Sequence, residues 1–343
     1  MKFGKVINFS VTLYHTRIGL NSTGKKAISI ILKFSVLILA AVFIIHKLNN
    51  NTNLRDFQAL TAKLNSGTVY SAMAIICGLM LLNWFLESLK WKYLVRSIER
   101  ITVWKSVESV FCGLTWAIFT PNRIGEYGGR IFFLKPRKRV FGAIAMSVGA
   151  IAQMVITNVL GSFAIVWFVW HFTDASTWLL YALFFVSAVF SLFFLLFYFN
   201  IRLLIGLLTS ISFLKRFKKF IMVLARYSKR DLIVVFNYSL ARFLVFTTQY
   251  CIVIQLLIPE IPIFSMVMMI LILFFIQSAL PSLDLLDVGV RAMTATYFFS
   301  FITHHEVAIM ASTACIWLVN LIIPAILGSV FVFKLNFFGT ARN

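Results

Sequence analysis

Six long apolar runs decide what this chain can fold into: residues 28–45, 69–89, 140–170, 177–199, 232–258 and 307–333. At ~1.5 Å of rise per helical residue, each approaches or exceeds the thickness of a bilayer core, about 30 Å. Backbone inside a bilayer must satisfy its own hydrogen bonds, so such segments are helices or the strands of a closed barrel. The runs are continuous and lack the apolar–polar alternation of barrel strands, which leaves helices. The expected fold is an all-α integral membrane protein with about six transmembrane helices. A composition of 61% apolar and 13% charged residues agrees. In a soluble protein a net charge of +21 would suggest nucleic acid as a partner. Here it fits basic loops beside anionic lipid instead, so no nucleic acid is expected.

One stretch interrupts this pattern: Phe119-Thr120-Pro121-Asn122-Arg123-Ile124-Gly125-Glu126-Tyr127-Gly128-Gly129-Arg130. Pro121 breaks a helix and the glycines, Gly125 among them, loosen the backbone. The apolar limb that leads in, residues 110–119, spans only about 15 Å as a helix. The returning limb is Ile131-Phe132-Phe133-Leu134, followed by Lys135-Pro136-Arg137-Lys138-Arg139. Neither limb can cross, so the stretch is expected to be a re-entrant hairpin with its tip buried in protein. Irregular backbone at membrane depth is tolerated only against protein or a watered cavity.

A second interruption follows the run 263–280: Pro281-Ser282-Leu283-Asp284-Leu285-Leu286-Asp287-Val288-Gly289-Val290-Arg291. The order span, span, hairpin, span thus occurs twice, in 28–170 and in 177–335, after a cytoplasmic segment 1–27. Pro121 to Arg130 corresponds to Pro281 to Arg291. Asn83 and Arg242 lie at matching distances before the two prolines. Three spans per copy invert the second copy, an architecture found in many transporters. Lys and Arg favour cytoplasmic termini: segments 1–27, 90–105, 135–139, 200–230 and the tail carry 5, 5, 4, 8 and 2 of them, against 3, 0 and 0 on the other side. The second hairpin fits two full spans equally well, because parity is unchanged. In 200–230, leucines interleave with basic residues and suggest a helix lying on the membrane.

The deep arginines expected to bind substrate are Arg123, Arg130, Arg242 and Arg291, since guanidinium binds phosphate bidentately. Glu126, Asp284 and Asp287 are expected to balance them. Pro121, Gly125, Pro281 and Gly289 are assigned to the hairpin backbones. Glu87, Gln153, Asn158, Gln249 and Gln277 are explained adequately by bonds between helices. His304 and His305 adjoin the outer surface and are at best a weak pH-sensing pair. Gly19 to Lys26 imitates a P-loop, but Lys26 stands where magnesium needs Ser or Thr and no strand precedes it. The four cysteines lie far apart in apolar runs, without metal spacing. No cofactor, metal or catalytic residue is expected. The favoured reading is a translocator of an anionic lipid. The alternatives are a membrane enzyme acting on lipid phosphate, with Asp284 and Asp287 as its acid pair, and a non-transporting partner of a cell-envelope assembly. A homo-oligomer fits any of these.

The Pro121–Glu126 motif with Arg130, and Pro281 through Gly289-Val290-Arg291, resemble the lysylphosphatidylglycerol synthase transmembrane region, or flippase-like, family over roughly residues 25–335. In the second motif this chain has Asp284 and Asp287 where relatives tend to have glycines, and Ala292 where an acid often follows the arginine. The resemblance implies an inner-membrane protein with inverted repeats and re-entrant helices. It further implies a link to moving lipids or lipid-linked molecules between leaflets; for a translocator of this kind a phospholipid, an aminoacylated lipid or a polyprenyl-phosphate carrier would all fit. Synthase members add a soluble transferase domain. This chain ends just past its last span, so aminoacyl transfer is not expected of it.

Overall fold

Capping residues set where the helices begin. A computed structural model describes residues 22–49, 51–120, 123–212, 222–279 and 284–335, and every regular element among them is helical. The first helix is α1 (Ser22–Asn49). Asn51 then accepts from the Leu54 amide and starts α2 (Thr52–Thr61), a short helix inside what reads as a plain polar loop. Asn65 accepts from Gly67 and starts α3 (Ser66–Val95). Thr102 accepts from Lys105 and starts α4 (Val103–Ala117). Each such bond satisfies an amide that the first helical turn leaves free.

The chain continues through α5 (Ile124–Ile131), α6 (Arg139–Phe172), α7 (Thr177–Phe199) and α8 (Ile201–Ser210). The helix α8 carries the exposed leucines Leu203 and Leu207, while Lys215, Arg216, Lys218 and Lys219 of the expected amphipathic segment lie outside the described residues. A capping box between Ser228 and Asp231 opens α9 (Lys229–Leu257). Then come α10 (Ile263–Ala279), α11 (Asp284–Phe299) and α12 (Glu306–Trp317). A single π-helical turn, Leu318–Ile322, joins α12 to α13 (Ile323–Ser329). Pro324 lies four residues beyond Asn320 and has no amide to donate to the Asn320 carbonyl, which accounts for the widened turn.

Six helical segments are long and apolar enough to cross a membrane: Ile28–His46, Ser66–Val95, Pro136–Phe172, Thr177–Phe199, Lys229–Leu257 and Glu306–Lys334. They coincide with the six expected runs. The bundle is centred on α3, α9, α10 and α12, where Ile76, Tyr250, Ile254, Met266, Met269 and Ile316 are buried. Lipid tails are as apolar as leucine, so close packing and buried hydrogen bonds hold such helices together. The Gln249 amide donates to the Ile76 carbonyl at 2.9 Å across α9 and α3. Gly161 of α6 sits against Phe275 of α10, and a Cβ there would lie 2.3 Å from the phenylalanine Cβ. By contrast α7 presents Trp178, Phe184, Phe185 and Phe193 outward, as a lipid-facing helix should.

The helices α4 and α5 form a tight antiparallel hairpin. Gly113 faces Gly129, and a Cβ on Gly129 would stand 2.4 Å from the Gly113 Cα. A Cβ on Gly125 would stand 2.3 Å from the Trp116 carbonyl oxygen. The Thr120 hydroxyl accepts from the Gly125 amide at 2.8 Å and tightens the bend. The leading helix starts at Val103, about two turns before the apolar limb, because Thr102 caps it there. Both ends of the hairpin meet at Glu99, which takes the Lys135 amide at 3.0 Å and the Lys105 ammonium at 3.4 Å. The far side of α4 rests on α13, where the Thr115 hydroxyl donates to the Ala325 carbonyl at 2.8 Å. The helices α10 and α11 lie on either side of Pro281, pack together and are 17 and 16 residues long.

Candidate functional site

The polar faces of α3, α5 and α9 close on one another around Glu87. Asn83, Glu87, Lys90 and Leu94 recur at helical spacing and share one face of α3. Arg130 Nη1 donates to Glu87 Oε1 at 2.6 Å, and Lys90 Nζ lies 2.7 Å from Oε2. Arg242 of α9 also reaches Oε2. One carboxylate therefore serves three cations, and Glu87, Lys90 and Arg130 are all buried.

Glu126 serves two more contacts. It bonds Arg130 one turn along α5, and its other oxygen lies 3.1 Å from Arg123. Arg123 has a left-handed backbone, with φ of 54°, the only non-glycine residue so placed among those described. That conformation turns the chain out of the bend and aims the guanidinium back at Glu126. Arg242 Nε donates to the Asn83 carbonyl at 3.2 Å and to its side-chain oxygen at 2.9 Å. The Arg242 guanidinium also lies over the Trp84 ring, 5.2 Å from the centroid. Asn83 and Arg242, which occupy matching sequence positions before the two interruptions, are thus in direct contact.

These groups line a cavity of about 360 Å³. Its charged lining is Glu87, Lys90, Arg123, Glu126, Arg130, Arg242 and Arg291, joined by Gln153 and Asn320. Tyr127, Phe243, Phe246, Tyr250 and Trp317 supply apolar and aromatic walls. A site of this size, with a few convergent polar groups on an apolar wall, fits the usual form of a ligand pocket. Several lining atoms have no hydrogen-bond partner among the described residues: Nε of Arg123, Nε of Arg130, Oε1 of Gln153, Oδ1 of Asn320 and the Trp84 indole nitrogen. Buried polar atoms left in that state are costly unless water or a ligand meets them.

All four expected arginines reach this cavity, and so does Glu126. Gly125 makes the close approach expected of a hairpin glycine. Gly289 instead lies inside α11, where a Cβ would meet nothing within 4 Å. Pro121 and Pro281 lie outside the described residues, as do the side chains of Asp284 and Asp287, whose backbone begins α11. Asn158 and Gln249 make the bonds between helices that sequence reasoning gave them: Asn158 accepts from Ser278 at 3.1 Å. His305 is exposed and pairs only loosely with Glu260, at 3.7 Å.

Glu87, Lys90 and Asn320 were not among the expected site residues. Glu87 looked like an isolated polar residue in a span, and Lys90 like the first charge of a basic loop. Their spacing of three was the available signal, because α3 runs five residues past Lys90 and keeps both on one face. Asn320 was hidden because the π turn, not the sequence pattern, rotates it toward the cavity.

No curated protein matches the chain, and neither does any solved structure. The model of the lysylphosphatidylglycerol synthase TM region matches residues 30–328. That match takes in α3, the hairpin, α9 and the last span, and with them every residue around Glu87. The chain belongs to the lysylphosphatidylglycerol synthase TM region family.

Proposed function

We propose that this protein is a flippase-like transporter that moves an anionic lipid, or a lipid-linked molecule of the polyprenyl-phosphate type, between leaflets of the cytoplasmic membrane. The observation that carries this reading is the cavity itself. Four guanidinium groups converge on it amid membrane helices, and two of them retain a buried N–H with no partner among the described residues. A lipid phosphate would satisfy those donors bidentately while its tails stay in the bilayer. Glu87 and Glu126 hold the arginines when the cavity is empty, and a headgroup exchanges with them.

In this reading, residues 28–170 and 177–335 are inverted repeats, and α4–α5 and α10–α11 are re-entrant. The contact between Asn83 and Arg242, and the presence of both Arg130 and Arg291 on one cavity, are what two such halves meeting would produce. The hairpin of 15 and 8 residues is short for a bilayer, and both its ends return to Glu99. The basic segments 90–105 and 135–139 then mark the cytoplasmic side, with both termini on it. Substrate passage requires binding and release rather than bond making, so the protein acts as a carrier and not an enzyme.

Arg123→Glu tests the proposal, since the Arg123 side chain is 34% exposed, the most accessible of the ion-paired arginines at the cavity. In liposomes, exchange of a fluorescent phosphatidylglycerol analogue should fall at least about 10-fold, as expected when one charged hydrogen bond is lost. Losing the Glu126 pair should lower the melting temperature in detergent somewhat, so exchange is read well below it. Exchange at the parental rate in a folded Arg123→Glu protein would overturn the site.

A further inference from the structure

A second basic pocket opens where two membrane helices end. It holds about 360 Å³ and is lined by Arg96, Ser97, Arg100, Arg226, Tyr227 and Asp231. Arg96 and Ser97 directly follow the span Ser66–Val95, and Asp231 sits in the first turn of the span Lys229–Leu257. The pocket therefore lies at the boundary between membrane and water. Three guanidinium groups face one carboxylate, and that carboxylate is fully used. Asp231 Oδ1 takes the Tyr93 hydroxyl at 2.9 Å and a guanidinium nitrogen of Arg96. Its Oδ2 takes the Ser228 amide at 2.9 Å and the Ser228 hydroxyl at 2.8 Å. A carboxylate has about four acceptor sites, so none remains for Arg100 or Arg226.

The other acid nearby is also committed, because Glu99 is held by Lys105 and by the Lys135 amide. Arg226 bonds the Ser97 carbonyl at 3.3 Å, and neither it nor Arg100 has an acidic partner among the described residues. Arg96 is fixed in place by stacking on Tyr93, 3.8 Å from the ring centroid. The floor is rigid as well: the Tyr227 hydroxyl donates to the Leu94 carbonyl at 2.6 Å, and burial pushes its phenol pKa up. Leu94 is at the same time a wall of the central cavity. Ser97 lies in the turn just past the end of α3.

We infer that this pocket is a second, separate phosphate site, with Arg100 and Arg226 as its uncommitted forks and Arg96 as its positioned wall. Its ligand is a phosphate group at the membrane surface, because paired guanidiniums match phosphate oxygens and basic pockets between helix ends take lipid headgroups. The site stands whether or not the central cavity carries lipid across.

Native mass spectrometry of the full-length protein tests it, with dioleoyl phosphatidylglycerol or dioleoyl phosphatidylcholine as the probe and calorimetry of inorganic phosphate as a parallel arm. Arg100→Ala/Arg226→Ala should retain one phosphatidylglycerol fewer per chain than the parent, with phosphatidylcholine retention unchanged. Arg100→Ala alone removes no hydrogen bond or ion pair among the described residues and should weaken the same binding about 10-fold. Loss seen only with phosphatidylglycerol identifies a lipid headgroup as the ligand. Phosphate heat that vanishes in the double variant identifies a soluble phosphate. Parental binding of both probes by a double variant with a parental melting temperature would overturn the site.

Discussion

Glu87 is the residue on which the central cluster turns. It neutralises Lys90, Arg130 and Arg242 at once, in a setting where an uncompensated buried charge is severely penalised. Glu87→Leu should therefore lower stability by about 3–5 kcal/mol, the usual cost of removing one partner of a buried ion pair. Glu87→Leu/Lys90→Leu should recover part of that loss, because the second change removes one of the stranded cations. Melting of the two variants in detergent checks this, and equal losses would show that Lys90 is not coupled to Glu87. Arg123 makes a different point at the same scale. Its left-handed backbone costs on the order of 1–3 kcal/mol and is held in place by the Thr120–Gly125 bond and the Glu126 pair.

Among the elements, the α4–α5 hairpin depends on missing side chains. Gly113 and Gly129 let two backbones approach closely, and the added methyl at Gly129 would meet backbone that cannot swing aside. Gly129→Val should cost at least about 1–3 kcal/mol, as is typical of overpacking, read as a lowered melting temperature, and should abolish the proposed lipid exchange. Gly78→Ala is the control, because nothing lies within 4 Å of its Cβ position. It should be neutral, or stabilising by about 0.5–1 kcal/mol from helix propensity alone. A parental melting temperature for Gly129→Val would mean that the hairpin is looser than the contacts describe. The π turn belongs to this scale too. It widens the last span beside the cavity, while α13 beyond it grips α4 through Thr115 and through Gly328, whose Cβ position lies 2.0 Å from the Phe111 carbonyl oxygen.

At the scale of the whole molecule, the proposed orientation puts the basic segments 90–105 and 135–139 on the cytoplasmic side. In a background with the four cysteines replaced, single cysteines at Lys92 and Arg137 should be labelled only from the cytoplasmic side. Cysteines at Asn65 and Trp178 should be labelled only from the opposite side. Labelling of Lys92 and Arg137 from opposite faces would make the hairpin a crossing, and the proposed inversion of the second half would fail. The sidedness matters because the two pockets adjoin at one end of α3, where Leu94 walls the central cavity and its carbonyl takes the Tyr227 hydroxyl.

Span number and helical class were decided by the sequence alone, because a bilayer permits apolar runs of this length only one backbone solution. The arginines of the central cavity were also legible there, since charge and glycine within an apolar context have few harmless explanations. The partners of those arginines could not be read from the chain. Glu87 lies 43 residues before Arg130 and 155 before Arg242, and no local pattern reports which distant cations will share one carboxylate. Lys90 was misread because a helix end is set by capping and packing, and α3 continues to Val95. Only the tertiary packing of α3, α5 and α9 converts scattered charges into a cavity, because the energy of a buried ion pair exists only once the helices have excluded water around it.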